Sequence, residues 1–216
     1  MNVPANGWMI GVDFDNTIAS YDELMHAIAL ERGLIDAGLA KNKKLIRDAI
    51  RALPDGETHW RGLQVTVYGP RMNEARPLEG VIEFFAECHR RGIPAYIVSH
   101  KTEFANFGES GVNLRTAAMT WLEQHGFIHE TRTGLRKTDV FFESTRAEKI
   151  GRVKALGATH FIDDLEETFL ETSFPRGVEK ILIATHGQPG QLPGVMSFST
   201  WRQIHEHLFS RAVAIG

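Results

Sequence analysis

The segment Met9-Ile10-Gly11-Val12-Asp13-Phe14-Asp15-Asn16-Thr17-Ile18 decides how the rest of the chain is interpreted. Its apolar first part predicts a short buried strand. Because strand side chains alternate between two faces, Asp13 and Asp15 are expected to point to the same side. Two like charges at the end of a strand are costly unless a cation or hydrogen-bond donors lie between them. The pair therefore indicates either a binding site or a solvated, helix-capping turn, which the polar residues after it would also suit.

The composition is that of an ordinary globular protein. The chain has 216 residues, 43% of them hydrophobic and 24% charged, which allows one large domain or a core with an inserted subdomain. The formal net charge of -3 argues against a general nucleic-acid-binding surface. No apolar run approaches the length of a transmembrane helix and no signal peptide is evident, so we expect a soluble, cytoplasmic protein that does not bind membranes. The single cysteine, Cys88, has the helical spacing of a buried structural thiol.

Short apolar segments alternate with amphipathic helical patterns along the chain. Strands are predicted at residues 8–14, 93–99, 140–142, 159–162 and 180–184, with a further apolar segment at 195–198. Helices are predicted at residues 21–32, 38–53, 113–125, 146–156 and 200–209, and between Gly80 and Gly92. Residues 57–67 fit a helix, although 64–68 could also form a short strand. The alternation predicts an α/β fold with a Rossmann-like, mainly parallel sheet sandwiched by helices.

Polar residues follow the apolar segments at the point where three predicted strands end. They are Asp13, Asp15, Ser99, Asp163 and Asp164. The carboxyl ends of parallel strands face the same side of a sheet, where ligand sites form. Lys149, at the start of the helix before Asp163, is expected at the same edge. Carboxylates there could share a hard cation such as Mg²⁺, a hydroxyl and an ammonium could hold phosphoryl oxygens, and a carboxylate aimed at phosphorus could form an aspartyl-phosphate.

In order and in structural context, these residues resemble the haloacid dehalogenase-like (HAD) superfamily of phosphohydrolases. Its four short motifs are an Asp-x-Asp-x-Thr after a strand, a Ser after a strand, a Lys, and an Asp-Asp pair after a strand. The matching residues are Asp13-Phe14-Asp15-Asn16-Thr17, Ser99, Lys149 and Asp163-Asp164. The resemblance covers roughly Met9 to Ala184, though not in detail Ser20 to Arg76. It implies a catalytic core at residues 1–17 and 77–216, with a helical cap inserted at 18–76 between the first and second motifs.

The resemblance also implies a role for each matching residue. Asp13 would be the nucleophile and a metal ligand. Asp15 would protonate the leaving group and then activate water, and its backbone carbonyl would bind Mg²⁺. Thr17 would orient the two acids. The implied phosphate-binding residues, with His100 added because it directly follows Ser99, are Thr17, Ser99, His100 and Lys149. The implied metal ligands are Asp13, Asp15, Asp163 and Asp164.

The acid at position 15 favours one activity within the superfamily. Dehalogenase and phosphonate-cleaving branches lack an acid there, so the resemblance implies Mg²⁺-dependent hydrolysis of the phosphate ester of a small metabolite, such as a nucleotide or sugar phosphate. A phosphotransferase or mutase with the same intermediate, and a non-catalytic phospho-ligand-binding regulatory module, remain alternatives. Asn16 stands where many members have Gly, and Lys137 and Lys154 compete with Lys149 for the phosphate-binding role.

The segment at residues 18–76 corresponds in position to caps that exclude water and select the leaving group. Tyr68 and Arg71 are candidates for substrate contact by their chemistry, and Lys101 is a candidate because it follows Ser99 closely. Trp60 fits the core of the cap at least as well as a substrate contact. The sequence leaves the substrate and the oligomeric state open.

Overall fold

A computed structural model of the chain describes residues 7–105, 111–185 and 192–210. Within them, the strands are β1 (Ile10–Val12), β2 (Ala19–Ser20), β3 (Arg76–Pro77), β4 (Ala95–His100), β5 (Val140–Glu143), β6 (His160–Asp163), β7 (Glu179–Ile183) and β8 (Val195–Phe198). The helices are α1 (Asp22–Glu31), α2 (Lys43–Arg51), α3 (Gly56–Tyr68), α4 (Val81–Arg90), α5 (Leu114–Gln124), α6 (Arg146–Ala155), α7 (Glu166–Leu170) and α8 (Trp201–Phe209). Single turns of 3₁₀ helix lie at Met72–Glu74 and Lys137–Asp139.

The chain forms two compact units. The first comprises Met1–Ile18, Pro77–Lys101 and Gly126–Gly216, and the second comprises Ala19–Arg76 and Thr102–His125. The first six and last six residues of the predicted core lie outside the described residues.

The first unit is built on a parallel sheet, as the sequence predicts. In the described ranges this sheet has six strands in the order β5-β4-β1-β6-β7-β8, and every neighbouring pair is parallel. β1 lies in the middle, where Val12 is in register with Ile97 of β4 and Ile162 of β6. A central strand covered on both faces needs apolar side chains, and Ile10 and Val12 are fully buried. The α/β fold and the Rossmann-like sheet are therefore confirmed, with the apolar segment at 195–198 as the edge strand β8.

Helices flank this sheet through apolar contacts. An apolar cluster joins α6 and α7 to strands of the sheet and consists of Val98, Ile150, Val153, Ala158, Phe161, Phe169, Phe174 and Leu182. Gly11 allows Phe161 to lie close to β1, since a Cβ atom at Gly11 would be 2.7 Å from Cδ2 of Phe161. Elsewhere in the unit, Phe84 of α4 contacts Trp201 and Phe209 of α8, with ring centroids 4.8 and 5.4 Å apart. These contacts pack helices against the sheet and against one another.

The second unit is mainly helical. Its buried side chains include Ile46 and Ile50 of α2 and Trp60, Leu63 and Val67 of α3. Residues 57–67, predicted as a helix, and residues 64–68, for which a short strand was the alternative, all lie within the helix α3, so the strand alternative is wrong. Trp60 is 3% exposed and belongs to the core of this unit.

The boundaries of the second unit differ from the predicted insert at 18–76. The unit includes α5, which the prediction assigned to the core. The indole N–H of Trp121 in α5 donates a buried hydrogen bond of 2.8 Å to the carbonyl oxygen of Ala75, and Trp121 is fully buried. This large side chain ties α5 to the end of the insert. Ile18 belongs instead to the first unit, where its carbonyl oxygen accepts a 2.8 Å hydrogen bond from the backbone N–H of Leu78.

In the part of the chain that the structure describes, no helix combines the length and the apolar character needed to cross a membrane.

Candidate active site

β1 delivers Asp13 and Asp15 to the carboxyl edge of the sheet. The backbone N–H of Asp13 donates a 2.8 Å hydrogen bond to Ile162, which extends the pairing with β6 one residue past the end of β1. The chain then turns at Asn16, whose φ of +59° lies in the left-handed region. Glycine and asparagine adopt this region more readily than other residues. Asparagine therefore suits the conformation that this turn requires.

β4 brings one hydrogen-bond donor to each of the two acids. The hydroxyl of Ser99 donates to Asp13 Oδ1 over 2.8 Å, and Lys101 Nζ lies 3.0 Å from Oδ1 and 2.9 Å from Oδ2 of Asp15. β1 and β4 are parallel neighbours, so residues two apart on one strand meet residues two apart on the other. The sequence patterns Asp-x-Asp and Ser-x-Lys are thus complementary across the two strands.

Lys149 joins the acid at the end of β1 to the acid at the end of β6. Its Nζ lies 2.7 Å from Asp13 Oδ1 and 2.6 Å from Asp163 Oδ2, and its side chain is 4% exposed. Lys137 and Lys154, which competed for this position in the sequence, are both exposed. The structure thus places Lys149 between Asp13 and Asp163.

The start of α6 fixes the position of Lys149 along the chain. Thr145 caps the helix by accepting a hydrogen bond from the backbone N–H of Glu148, and the Glu148 carboxylate accepts one from the backbone N–H of Thr145. This reciprocal capping box defines where a helix begins. Lys149 follows immediately, in the first turn of the helix.

Three carboxylates form an acidic cluster, which consists of Asp13, Asp163 and Asp164. One oxygen from each lies within 4.8 Å of the others. The second oxygen of Asp163, Oδ1, accepts a 3.0 Å hydrogen bond from the backbone N–H of Leu165, which orients this side chain. Hard oxygen donors of this kind are the ligands that Mg²⁺ prefers in proteins. The residues present therefore fit a divalent cation.

Burial and nearby opposite charges shift the pKa values of Asp13 and Lys149 in opposite directions. Burial raises the pKa of Asp13 to about 6, although Lys149 acts to lower it. Burial also lowers the pKa of Lys149, but the attraction of Asp13 and Asp163 outweighs that effect, so this pKa lies above its ordinary value. One buried ammonium faces several carboxylates, and a divalent cation would supply the additional positive charge.

The structure separates the remaining core candidates. The hydroxyl of Thr17 donates to Asp13 Oδ2 over 3.3 Å, so this residue contacts one of the two acids that it was expected to orient. The indole N–H of Trp201 holds Thr17 in turn, through a 2.8 Å hydrogen bond to its carbonyl oxygen. His100 is exposed, and its Nε2 lies 3.0 Å from the carbonyl oxygen of Ser144. Side chains alternate between the two faces of the sheet along β4, so Ser99 lies against Asp13 and the adjacent His100 lies on the other side.

Two interactions at this site escaped the sequence analysis. Lys101 was a candidate for substrate contact, which stays a prediction, and the structure pairs its ammonium with Asp15. The matching spacing of Asp-x-Asp and Ser-x-Lys was a signal for this pair, provided that β1 and β4 were taken as neighbours. No comparable signal marked Trp201, which lies 184 residues from its partner Thr17.

The candidates in the second unit have partners within that unit. The guanidinium of Arg71 contacts the carboxylates of Glu31 and Glu74, the latter over 2.6 Å, and these hydrogen bonds raise its pKa. Tyr68 packs edge-on against Tyr21, with ring centroids 4.8 Å apart. Arg71 thus has a structural role in its own unit, and a substrate contact for either residue stays a prediction.

Comparison with known proteins supports the fold. Neither protein-family models nor curated proteins match the sequence. Among solved structures, a haloacid dehalogenase-like hydrolase from Bacteroides fragilis matches with a TM-score of 0.58 and 16% identity, over 91% of this chain and 99% of that chain. A HAD-family hydrolase from Deinococcus radiodurans R1, solved with bound phosphate and sodium, matches with a TM-score of 0.51 and 14% identity over 98% of each chain. A dehalogenase with an intermediate complex matches with a TM-score of 0.56 and 12% identity, over 96% of this chain and 98% of that chain. The chain has the haloacid dehalogenase-like fold.

Proposed function

We propose that this chain, which has the haloacid dehalogenase-like fold, hydrolyses phosphate monoesters of small metabolites through a covalent intermediate on Asp13. The observation that carries this proposal is the pair of donors on Asp13 Oδ1: the Ser99 hydroxyl at 2.8 Å and the Lys149 ammonium at 2.7 Å. A hydroxyl and an ammonium next to a buried carboxylate suit the oxygens of a phosphoryl group brought to that carboxylate.

The acidic cluster is proposed to hold a divalent cation such as Mg²⁺. Asp13, Asp163 and Asp164 would supply carboxylate oxygens, and the resemblance to HAD enzymes adds the backbone carbonyl of Asp15. When bound, such a cation would neutralise negative charge on the carboxylates and on the phosphoryl oxygens.

In the first half-reaction, a carboxylate oxygen of Asp13 attacks phosphorus while the bond from phosphorus to the leaving oxygen breaks. The electron pair of that bond goes to the leaving oxygen, which takes a proton from the carboxyl group of Asp15. Ser99 and Lys149 donate hydrogen bonds to the phosphoryl oxygens and keep phosphorus in line with Asp13. Holding the two groups in this geometry removes much of the entropic cost of the step.

In the second half-reaction, water attacks the phosphorus of the aspartyl-phosphate. Asp15, now a carboxylate, takes a proton from that water. The bond between phosphorus and Asp13 breaks, and its electron pair returns to the Asp13 carboxylate. Inorganic phosphate leaves, and both acids are back in their starting protonation states.

The helical insert is proposed to act as a cap that selects the leaving group. The resemblance places such caps between the first and second motifs, and closing a site in this way also excludes water. Nucleotide and sugar phosphates are the proposed substrates, and Tyr68 and Arg71 remain the candidates for contact with the organic part.

Two other reactions are compatible with the fold. A dehalogenase has no leaving alkoxide to protonate, so it has no use for the carboxylate of Asp15, and this residue favours phosphate-ester cleavage. A phosphotransferase or mutase would share the first half-reaction and differ only in passing the phosphoryl group to an alcohol instead of water.

A substrate panel tests the proposal. The purified protein is assayed against nucleotide, sugar and aryl phosphates and against haloacids, with Mg²⁺ or with EDTA, and with an added alcohol as acceptor. We expect release of inorganic phosphate that requires Mg²⁺. Halide release, or transfer to the alcohol without phosphate release, would favour the other two reactions. Absence of turnover across the panel would favour a binding module.

A further inference from the structure

Lys101 is a buried cation next to the proposed acid-base residue, and the two half-reactions give it no task. Its side chain is 3% exposed, whereas that of Asp15 is 24% exposed. The ammonium reaches both carboxylate oxygens of Asp15, at 3.0 and 2.9 Å. Burying an ammonium is unfavourable unless partners compensate it, so a lysine in this position needs an explanation.

Contacts beyond that with Asp15 also hold Lys101 in place. Its backbone N–H donates a 2.8 Å hydrogen bond to the carbonyl oxygen of Glu143, at the end of β5. Its ammonium lies 5.5 Å from the centre of the Phe14 ring, which is within the range of a cation–π contact. Phe14, just after β1, and Glu143 of β5 therefore help to hold Lys101 in one position relative to Asp15.

Asp15 is the more exposed of the two acids. Asp13 is 3% exposed, whereas Asp15 directly precedes the left-handed turn at Asn16 and its side chain is 24% exposed. A side chain at the start of a turn has several rotamers open to it. An ammonium that contacts both oxygens selects one orientation of the carboxylate.

We propose that Lys101 is a positioning residue, which holds the Asp15 carboxyl group in the orientation from which it exchanges protons with the leaving oxygen and with water. This inference rests on the proposed function, and it assigns no proton transfer to Lys101 itself. Ser99 and Lys149 hold the phosphoryl group independently of Lys101. Loss of Lys101 therefore impairs the proton transfer and leaves phosphate binding intact.

The experiment compares wild type, Lys101→Met and Lys101→Arg on two aryl phosphates in the presence of Mg²⁺. Phenolate is a stronger base than para-nitrophenolate, so cleavage of phenyl phosphate depends more on a proton from Asp15. The ratio kcat/KM reports the steps up to phosphorylation of Asp13, before the hydrolysis that both substrates share. Asp15→Asn gives the reference for lost proton transfer, and Lys154→Met, in which an exposed lysine is lost, is the matched control.

For Lys101→Met we expect kcat/KM to fall about thirtyfold or more on phenyl phosphate and about threefold or less on para-nitrophenyl phosphate, as loss of aligned general-acid catalysis would produce. Lys101→Arg should recover most of the loss on phenyl phosphate, because a guanidinium also contacts both oxygens of a carboxylate. Asp15→Asn should show the same preference for para-nitrophenyl phosphate, and Lys154→Met should match wild type.

The positioning role would be overturned if Asp15→Asn shows a leaving-group-dependent loss while Lys101→Met loses kcat/KM equally on the two substrates or not at all. The proposed function would still stand in that case. Wild-type kcat/KM on both substrates for Asp15→Asn would overturn the acid–base role of Asp15 and the positioning role with it, whereas absence of Mg²⁺-dependent phosphate release by the wild type would overturn the proposed function itself. Circular dichroism establishes that each variant is folded. If Lys101→Met does not fold, Lys101→Gln replaces it in the same comparison, with the same expected and contrary results.

Discussion

At the scale of single residues, the ammonium of Lys149 lies between two buried carboxylates. Its ammonium is within 2.7 Å of Asp13 and 2.6 Å of Asp163, and both acids are almost fully buried. Removing one member of such a group leaves uncompensated charge in a place that water does not reach. Lys149 thus offsets like-charge repulsion in the protein, in addition to its proposed contact with phosphate.

The variant Lys149→Met should destabilise the protein in the absence of divalent cations. We expect the free energy of unfolding to fall by about 3 kcal/mol or more, the usual effect of breaking a buried ion pair. Added Mg²⁺ should restore part of the loss, because a cation bound between the carboxylates replaces the missing charge. Urea unfolding in EDTA and in Mg²⁺ measures both effects, with Lys154→Met as the exposed control. Equal stability of Lys149→Met and wild type in EDTA would contradict this description of the cluster.

The turn after β1 matters at the scale of elements, because it begins directly after Asp15, while the backbone of Asp13 is still hydrogen-bonded to β6. Asn16 adopts its left-handed conformation with φ of +59°. For residues with a Cβ atom this conformation is unfavourable, and asparagine tolerates it better than most.

Substitutions at Asn16 test this account of the turn. Asn16→Gly should leave the free energy of unfolding within about 0.5 kcal/mol of wild type, whereas Asn16→Val should lower it by about 1–2 kcal/mol, because a β-branched residue is strained at positive φ. Urea unfolding of the two variants provides the comparison. A valine variant as stable as the glycine variant would show that the turn imposes no such constraint.

The elements themselves were largely predictable, because their signals are local. Apolar runs marked β1, β4 and β6, and three- to four-residue periodicity marked α4 and α8. Assignment of α5 to a unit was not predictable in this way. It depends on the indole of Trp121, whose partner Ala75 lies 46 residues earlier in the chain, and periodicity within α5 carries no information about that partner.

The same holds for the site: residues marked by local sequence were predictable, and contacts that depend on the order of the strands were not. Asp13, Ser99 and Asp163 were predicted together because each ends a strand of one parallel sheet, and that rule needs no knowledge of strand order. The pair of Lys101 and Asp15 depends on β4 lying next to β1 in a particular register. The position of His100, which contacts Ser144 and not the acids, depends on the same register.

At the scale of the whole molecule, the first unit carries a second group of titratable residues, at the opposite, amino edge of the sheet, in which His160 is buried and its partners are partly exposed. His160 begins β6 and lies 3.7 Å from the carboxylate of Glu179, which begins β7 and also lies 2.8 Å from Nε2 of His207 in α8. Burial lowers the pKa of His160, with His207 acting in the same direction and Glu179 opposing it. His160 therefore binds a proton less readily in the folded protein than in the unfolded chain.

This lowered pKa makes the stability of the protein dependent on pH. Because His160 binds a proton less readily when folded than when unfolded, its contribution is complete above the unfolded value of about 6.5 and is lost as the pH falls through the lower folded value. As the pH falls from about 7 to 5, we expect wild type to lose more of its free energy of unfolding, or to gain less, than His160→Gln, because Asp13, whose raised pKa acts in the opposite sense, is present in both proteins. Urea unfolding across this range is the measurement, with the exposed His59→Gln as control. The same pH dependence in His160→Gln and wild type would assign the effect to other groups.

The proposed function requires Asp13 to be the nucleophile. This role is tested most directly by comparing wild type with Asp13→Asn in the rate of phosphate release from para-nitrophenyl phosphate in the presence of Mg²⁺. The substitution keeps the size and shape of the side chain and removes the attacking carboxylate. We predict that Asp13→Asn loses roughly a thousandfold or more of the wild-type rate, as removal of a nucleophile does in other enzymes, while circular dichroism shows the same folded state. A folded Asp13→Asn variant that releases phosphate within about tenfold of the wild-type rate would contradict a covalent intermediate on Asp13.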